Sequence, residues 1–139
     1  LLPNATLIVQ QEEWDFAPHA DDRGYHAPEF DTGQPVLKVR GEYDVFGDGS
    51  AVCFPTPGHT PGHQSLRVRL PGGDVILTGD CCNMQESLDE LRLPDHAHDE
   101  DAYLRSLLHL RDLRARGARI FFSHDPEFWK SVPQSVALR

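Results

Sequence analysis

The chain has 139 residues, of which 39% are apolar and 25% are charged, and its formal net charge at pH 7 is −9. These values are typical of a globular domain, or of part of one. The surplus of acidic residues argues against nucleic acid as a partner, because phosphates require a basic face. Neither a membrane-spanning apolar run nor a secretory signal pattern is visible, and we therefore expect a cytoplasmic protein.

The first third of the chain alternates β-rich runs with a long polar loop. A strand is predicted at Thr6–Gln10, followed by a helical turn at Glu12–Ala17. Residues 18–35 mix His, Asp, Gly and Pro, which predicts a surface loop, and such loops are often functional. Two further strands are predicted at Val36–Val39 and Tyr43–Phe46, before a turn at Gly47-Asp48-Gly49.

The middle of the chain predicts a hairpin that begins after a rigid loop. A strand at Ala51–Phe54 runs into "PTPGHTPGHQSL", in which prolines and glycines restrict the backbone to irregular shapes. Ser65–Leu70 alternates polar and apolar residues, which predicts a strand with one solvated face. After a Pro-Gly-Gly turn, the apolar run Val75–Leu77 predicts a strand buried on both faces, and it ends in "TGD".

One long helix dominates the last third of the sequence. Cys81–Asp101 is polar and predicts irregular structure, whereas Asp101–Arg116 carries apolar residues at helical spacing. That stripe consists of Leu104, Leu107, Leu108, Leu110 and Leu113. His109 falls on the opposite, solvated face. A buried strand is predicted at Arg119–Phe122, and it ends in "SHD".

Three side chains suited to metal binding follow predicted strands. His59, Asp80 and His124 each come directly or shortly after an apolar β-run. Imidazole nitrogen and carboxylate oxygen are both zinc ligands, and activation of water is a common use of such a metal. Taken singly, however, a histidine at a strand end is more often a hydrogen-bonded turn residue than a ligand.

Three motifs, taken together in their order along the chain, favour metal binding over the turn-residue interpretation. "TPGHTPGHQSL", "VILTGD" and "IFFSHD" resemble the second half of the metallo-β-lactamase superfamily. "PNATLIVQQEEW" and "SHDPEFW" are more narrowly similar to its N-acyl homoserine lactonase branch. The resemblance implies an α/β fold, the αβ/βα sandwich, of which residues 1–139 form roughly the C-terminal half of a single domain.

The resemblance also implies roles for individual residues. His59 and His124 each match a ligand of one metal, and Asp80 matches the aspartate that bridges two. The second histidine of the doubled motif, His63, is expected to support the loop. Two divalent ions are implied, with zinc as the first choice and iron, cobalt and manganese left open. Metal binding would explain why the loop is rigid, because metal ligands tolerate little positional error.

The sequence departs from the family pattern in two places. The motif H-x-H-x-D-H, which supplies the remaining ligands and should precede residue 1, is absent. Because the only methionine is Met84 and the chain opens mid-pattern, we expect a processed chain or a fragment. Related lactonases often carry tyrosine three residues after the bridging aspartate, where this chain has Asn83. The Asn83 amide is the predicted catalytic donor to the substrate oxyanion.

Histidines, cysteines and aromatic residues outside these motifs are further functional candidates. Exposed positions are expected for the loop histidines His19, His26, His96 and His98. Cys81 and Cys82, with Cys53, form a poor disulfide framework, which favours a reducing compartment, and the adjacent pair is expected to fill a buried space. The aromatic side chains of the early loop region either line an acyl-binding mouth or pack in a minor core; they are Trp14, Phe16, Tyr25 and Phe30.

The resemblance implies hydrolysis of N-acyl homoserine lactones, in which a hydroxide held by two metal ions attacks the lactone carbonyl. A thioesterase of the hydroxyacylglutathione type is the alternative, with Lys130 and Arg139 as weak candidates for binding glutathione carboxylates. A further alternative is an inactive fragment that requires a partner chain to supply the first half, and a homodimer remains open. We expect neither nucleic acid nor a membrane as a partner.

Overall fold

A computed structural model describes residues 4–20, 25–26 and 33–134. Its strands are β1 Leu7–Gln10, β2 Val36–Val39, β3 Tyr43–Asp44, β4 Ala51–Pro55, β5 Gln64–Leu70, β6 Gly73–Leu77 and β7 Arg119–Phe121. Its α-helices are α1 Gln11–Phe16, α2 Gln85–Glu90, α3 Glu100–Ala115 and α4 Pro126–Ser131. None of the helices in these ranges combines the length and apolar character that a membrane span needs.

The main sheet brings the ends of three strands to one edge. Its order is β3-β4-β5-β6-β7, and a separate parallel pair joins β1 to β2. Because β4–β5 and β5–β6 are antiparallel and β6–β7 is parallel, β4, β6 and β7 all run in the same direction. The carboxyl ends of these three strands therefore share the edge that carries the predicted site residues.

Helix α3 covers one face of the sheet and forms the core with it. Ile76 and Ile120 are buried on this face against Leu107 and Leu110. The predicted leucine stripe is correct at these two leucines but wrong at Leu108, which is 47% exposed. The helix begins one residue earlier than predicted, because the Asp99 carboxylate accepts a hydrogen bond from the N–H of Ala102.

The other face of the sheet carries apolar side chains that are partly exposed to solvent. Leu66, Leu77 and Phe121 lie side by side in register, on the face opposite Ile76. Leu77 is 40% exposed. The prediction that Val75–Leu77 is buried on both faces is therefore wrong at its last residue, although Val75 is buried.

Three short elements differ from the sequence expectation. Helix α2 lies inside the segment predicted to be irregular, and Leu88 anchors it in the core. Helix α4 follows the last strand and was not predicted. The strand predicted at Tyr43–Phe46 ends at Asp44, because the Asp44 carboxylate binds the N–H groups of the following turn instead.

Candidate functional site

The structure brings the three predicted side chains together around Asp80. One carboxylate oxygen of Asp80 lies 3.7 Å from Nε2 of His59, and the other lies 2.9 Å from Nε2 of His124. The exposed fraction of the side chain is 38% for His59, 44% for Asp80 and 66% for His124. A ligand can therefore reach all three side chains. The Asp80 carboxylate thus sits between two imidazoles, with one at each oxygen.

This donor set fits a bridging carboxylate better than a single closed site. Within residues 4–20, 25–26 and 33–134, no group of three or more His, Cys, Asp or Glu side chains is arranged to hold one metal ion. The His59–Asp80 and Asp80–His124 contacts instead form two pairs, each made of one nitrogen and one oxygen donor. Zinc accepts both donor types but normally takes four ligands, so each pair requires ligands from elsewhere.

The loop that carries His59 is held closely against the first turn of α3. The Gly58 carbonyl accepts hydrogen bonds from the N–H groups of His98 at 2.8 Å and Asp99 at 3.1 Å. Gly58 has a φ of +129°, and a Cβ added there would lie 2.3 Å from the backbone N and Cα of Tyr103. Glycine is therefore required both by the backbone conformation and by the close approach of the helix.

The same loop is held on its other side by α1. The N–H of Gly62 donates to the Glu13 carboxylate at 2.9 Å, and a Cβ at Gly62 would lie 2.3 Å from the Glu13 backbone nitrogen. From α3, the Ser106 hydroxyl donates to the Pro57 carbonyl at 2.7 Å. Residues 56–63 are thus fixed between two helices, which accounts for the rigid composition of this loop.

His63 supports the site but is not available as a ligand. Its Nε2 accepts a hydrogen bond from the N–H of Asp80 at 3.0 Å, so Nδ1 carries the proton and donates to Thr56. The chain of hydrogen bonds continues from Thr56 to the Ser65 hydroxyl and on to the Thr78 carbonyl. Burial lowers the pKa of His63, with the neighbouring His59 as the second cause, and the ring therefore remains neutral.

Two hydrogen bonds join the loops that carry Asp80 and His124. The N–H of His124 donates to the Asn83 carbonyl at 3.0 Å, and the Ser123 hydroxyl donates to the Asn83 side-chain oxygen at the same distance. Asn83 therefore links the end of β7 to the Asp80 loop. Its predicted role as an oxyanion donor rests on the remaining NH₂ group.

Asp125 and Tyr103 are site-supporting residues that the sequence interpretation missed. The two oxygens of Asp125 accept hydrogen bonds from the N–H groups of Gln85 and Phe128, so one carboxylate caps both α2 and α4. The Asp-Pro pair before a helix is a recognisable signal for the second cap only. The Tyr103 hydroxyl donates to the Asp80 carbonyl at 2.8 Å, and no local pattern indicates this contact.

The other candidates divide between surface and packing positions. His19, His26, His96 and His98 are exposed as expected, although the His98 ring contacts Phe16 with centroids 4.9 Å apart. Phe16 also contacts Tyr25, whereas Trp14 lies under Lys38. Phe30 lies outside the described residues. Within the part of the chain that the structure describes, Phe16 adjoins the segment that holds Gly58, through its contact with His98.

The cysteine thiols are not candidate nucleophiles. Cys81 and Cys82 are fully buried, as expected, and burial raises the pKa of each to about 12. Burial also raises the pKa of Cys53. At neutral pH these groups remain thiols, which react slowly.

Comparisons with known proteins agree with this architecture. A sequence profile of the metallo-beta-lactamase superfamily matches residues 3–124. N-acyl homoserine lactonase AttM of Azorhizobium caulinodans is 38% identical, over 96% of this chain and 54% of that protein. AiiA of Bacillus thuringiensis subsp. kurstaki, also named an N-acyl homoserine lactonase, is 32% identical over 92% of this chain and 50% of that protein.

A solved structure extends the similarity to three dimensions. An N-acyl homoserine lactone hydrolase, with the product N-hexanoyl-L-homoserine bound at its catalytic metal centre, superimposes with a TM-score of 0.82 at 30% identity. The match covers 94% of this chain and 51% of that one. The chain therefore spans about half the length of the relatives that it matches.

Proposed function

The chain belongs to the metallo-β-lactamase superfamily, and from this membership we propose that it is the C-terminal part of a metal-dependent hydrolase that opens N-acyl homoserine lactones. The observation that carries the proposal is the Asp80 carboxylate, which lies between His59 and His124 and offers one oxygen to each side. The lactonase names of the similar proteins, and the lactone product in the superimposed structure, support the substrate class.

The proposed reaction gives a separate role to each of the four side chains at the site. Asp80 would bridge two divalent metal ions, and His59 and His124 would each hold one of them. When bound, such ions polarise a carbonyl and lower the pKa of water, and zinc is the first choice for nitrogen and carboxylate donors. Asn83 would donate a hydrogen bond from its NH₂ group to the developing oxyanion, since its side-chain oxygen already accepts one from Ser123.

The thioesterase alternative has weaker support in the described residues. Lys130, a candidate for binding the carboxylates of glutathione, forms an ion pair with Glu127 at 2.6 Å on the exposed side of α4. The second candidate, Arg139, lies outside the described residues. Among the described residues, no contact at the site favours a thioester over a lactone, so an assay has to decide substrate preference.

We also propose that the site is completed by an upstream segment with the H-x-H-x-D-H pattern. The two donor pairs each require further ligands, and the sheet face that carries Leu66, Leu77 and Phe121 is only half covered. An isolated chain with these properties should bind metal weakly, aggregate or dimerise, and be inactive. A second chain is the alternative source of the segment, and a cytoplasmic location is part of the proposal.

The decisive experiment compares three substrates with one metal-loaded sample of the complete protein, meaning this chain together with an upstream H-x-H-x-D-H segment. We expect faster hydrolysis of an N-acyl homoserine lactone than of S-lactoylglutathione or a β-lactam. Faster cleavage of the thioester would move the assignment to the thioesterase type. Residues 1–139 alone, if active with two tightly bound metals, would contradict the need for an upstream segment.

A further inference from the structure

We infer that Tyr103 is a positioning residue that sets the separation between the His59 loop and Asp80, an inference that rests on the metal-binding roles proposed above. Tyr103 lies in the first turns of α3, under the edge of the sheet where the candidate ligands meet. Its side chain is not a ligand and does not reach the solvent, since the residue is only 3% exposed. It acts through its contacts with the two loops.

The two ends of Tyr103 contact two different parts of the site. Its hydroxyl donates to the Asp80 carbonyl at 2.8 Å, across 23 positions of sequence. Its backbone N and Cα pack against Gly58 so closely that an added Cβ would lie 2.3 Å from each. Since Gly58 directly precedes His59, a single residue contacts both the loop of one proposed ligand and the backbone of another.

Neighbouring hydrogen bonds hold Tyr103 in a fixed position relative to the His59 loop. The N–H of Tyr103 donates to the Asp99 carbonyl at 2.9 Å, while the N–H of Asp99 donates to the Gly58 carbonyl at 3.1 Å. Ser106, one turn further along α3, binds the Pro57 carbonyl. The helix, the His59 loop and the Asp80 carbonyl therefore form one hydrogen-bonded unit, in which the Tyr103 hydroxyl supplies the contact to Asp80.

The hydroxyl is suited to a constant donor role. The phenol O–H is a hydrogen-bond donor, and the buried ring holds it against the Asp80 carbonyl. Metal ligands need to be held within about 0.5 Å of their working positions, and such positioning depends on supporting hydrogen bonds. Loss of the hydroxyl should therefore weaken metal binding even where the aromatic ring still fills its place in the core.

The test is Tyr103→Phe in the complete protein, because this variant keeps the ring and removes only the hydroxyl. Tyr43→Phe, in the edge strand β3, is the matched control. Zinc affinity is measured by competition with a chelator, and the stability of the metal-free protein by thermal unfolding. We expect roughly a tenfold loss of zinc affinity in Tyr103→Phe, within the range seen when supporting residues of metal sites are changed.

A second readout separates positioning from simple core packing. Because Tyr103 does not contact substrate, kcat should fall while KM stays close to the wild-type value. A core residue without a positioning role would lower the unfolding temperature but leave the zinc affinity and kcat of the folded protein equal to those of Tyr43→Phe. That result would overturn the inference.

The outcomes also distinguish this inference from the proposed function. Zinc affinity does not depend on the substrate, so the variant comparison decides the role of Tyr103 even if lactones prove to be poor substrates. Equal zinc affinity in Tyr103→Phe and the control would remove the inference and leave the proposed hydrolase intact. A complete protein that binds no divalent metal would overturn both.

Discussion

The imidazole of His63 accepts a hydrogen bond at 3.0 Å from the backbone N–H of Asp80, although 17 positions separate the two residues. The second histidine of the doubled motif therefore places the proposed bridging carboxylate, while the first histidine faces it. Because Nε2 is the acceptor, the protonated nitrogen is Nδ1, which binds Thr56 at the start of the same loop. One neutral ring thus ties the His59 loop to the Asp80 turn.

Removal of this ring should destabilise the fold. His63→Ala leaves the partly buried Asp80 N–H without its acceptor, and such a loss should cost about 1 kcal/mol, the low end of the range for unsatisfied groups. Urea unfolding measures the free energy of unfolding, with His96→Ala as the control, since His96 is exposed. A loss no larger than that of His96→Ala would show that His63 does not support the turn.

Gly58→Ala should be much more damaging than an alanine at another glycine with positive φ. Gly47 has a φ of +75° with no atom within 4 Å of an added Cβ, so Gly47→Ala carries the backbone strain alone. That strain is about 1–2 kcal/mol. At Gly58 the added methyl group also meets the Tyr103 backbone, and overpacking contributes about 1–3 kcal/mol more. Equal unfolding free energies for the two variants would refute the close approach of α3.

Asp80→Asn should remove most of the hydrolytic activity of the complete protein, because the amide lacks the charge that would bridge two cations. Asn83→Ala should have a smaller effect. Loss of one oxyanion donor lowers turnover by about 10²–10³-fold in other enzymes, and an exposed, metal-assisted site should lose less. Steady-state kinetics with a lactone substrate, together with metal content, check both variants. A larger loss in Asn83→Ala than in Asp80→Asn would reverse these assignments.

The buried thiols should be unreactive until the protein unfolds. Since the pKa values of Cys81 and Cys82 are raised to about 12, the reactive thiolate is scarce at neutral pH. A colorimetric thiol reagent should label these cysteines slowly in buffer and rapidly in urea. The half-buried Cys53 provides an internal comparison and should react first. Rapid modification of all three cysteines in the native protein would contradict the observed burial.

Stability should decline in acid partly through Asp125. The N–H groups of Gln85 and then Phe128 lower its pKa below the ordinary 3.8, so the native state binds this proton less tightly than the unfolded chain. Its contribution is therefore present above the unfolded pKa and is lost as the pH falls through the lower folded pKa.

Asp125→Asn should be less stable than the wild type at neutral pH, because the amide retains only one acceptor oxygen for two helix N-termini. The difference should shrink towards about pH 2, where the wild-type carboxyl is protonated as well. Urea midpoints across this range provide the measurement, with Asp95→Asn as an exposed control. A difference that is constant with pH would show that the Asp125 charge has no part in the two caps.

The candidate ligands and most of the strands that carry them could be predicted from the amino-acid sequence. His59, Asp80 and His124 each follow an apolar β-run directly or through a short turn, but their assignment as ligands came from the resemblance to the metallo-β-lactamase superfamily. The fold class followed from motifs that are contiguous in the chain, and the superfamily match confirms it. The three candidate ligands were expected to converge, and the structure shows that they do, because β4, β6 and β7 run in the same direction.

The contacts that hold the candidate ligands in place could not be predicted, because they form between segments that are distant in sequence. Tyr103 and Glu13 contact the loops that carry the candidate ligands across 23 and 49 positions of sequence, and Asp125 joins the start of α2 to α4 across 40 positions. Hydrophobic periodicity shows which side of a helix faces the core, but not which loop a hydroxyl or carboxylate on that helix will reach. The burial of Leu77 was misjudged for a related reason, because an apolar strand looks the same in sequence whether one face or both are covered.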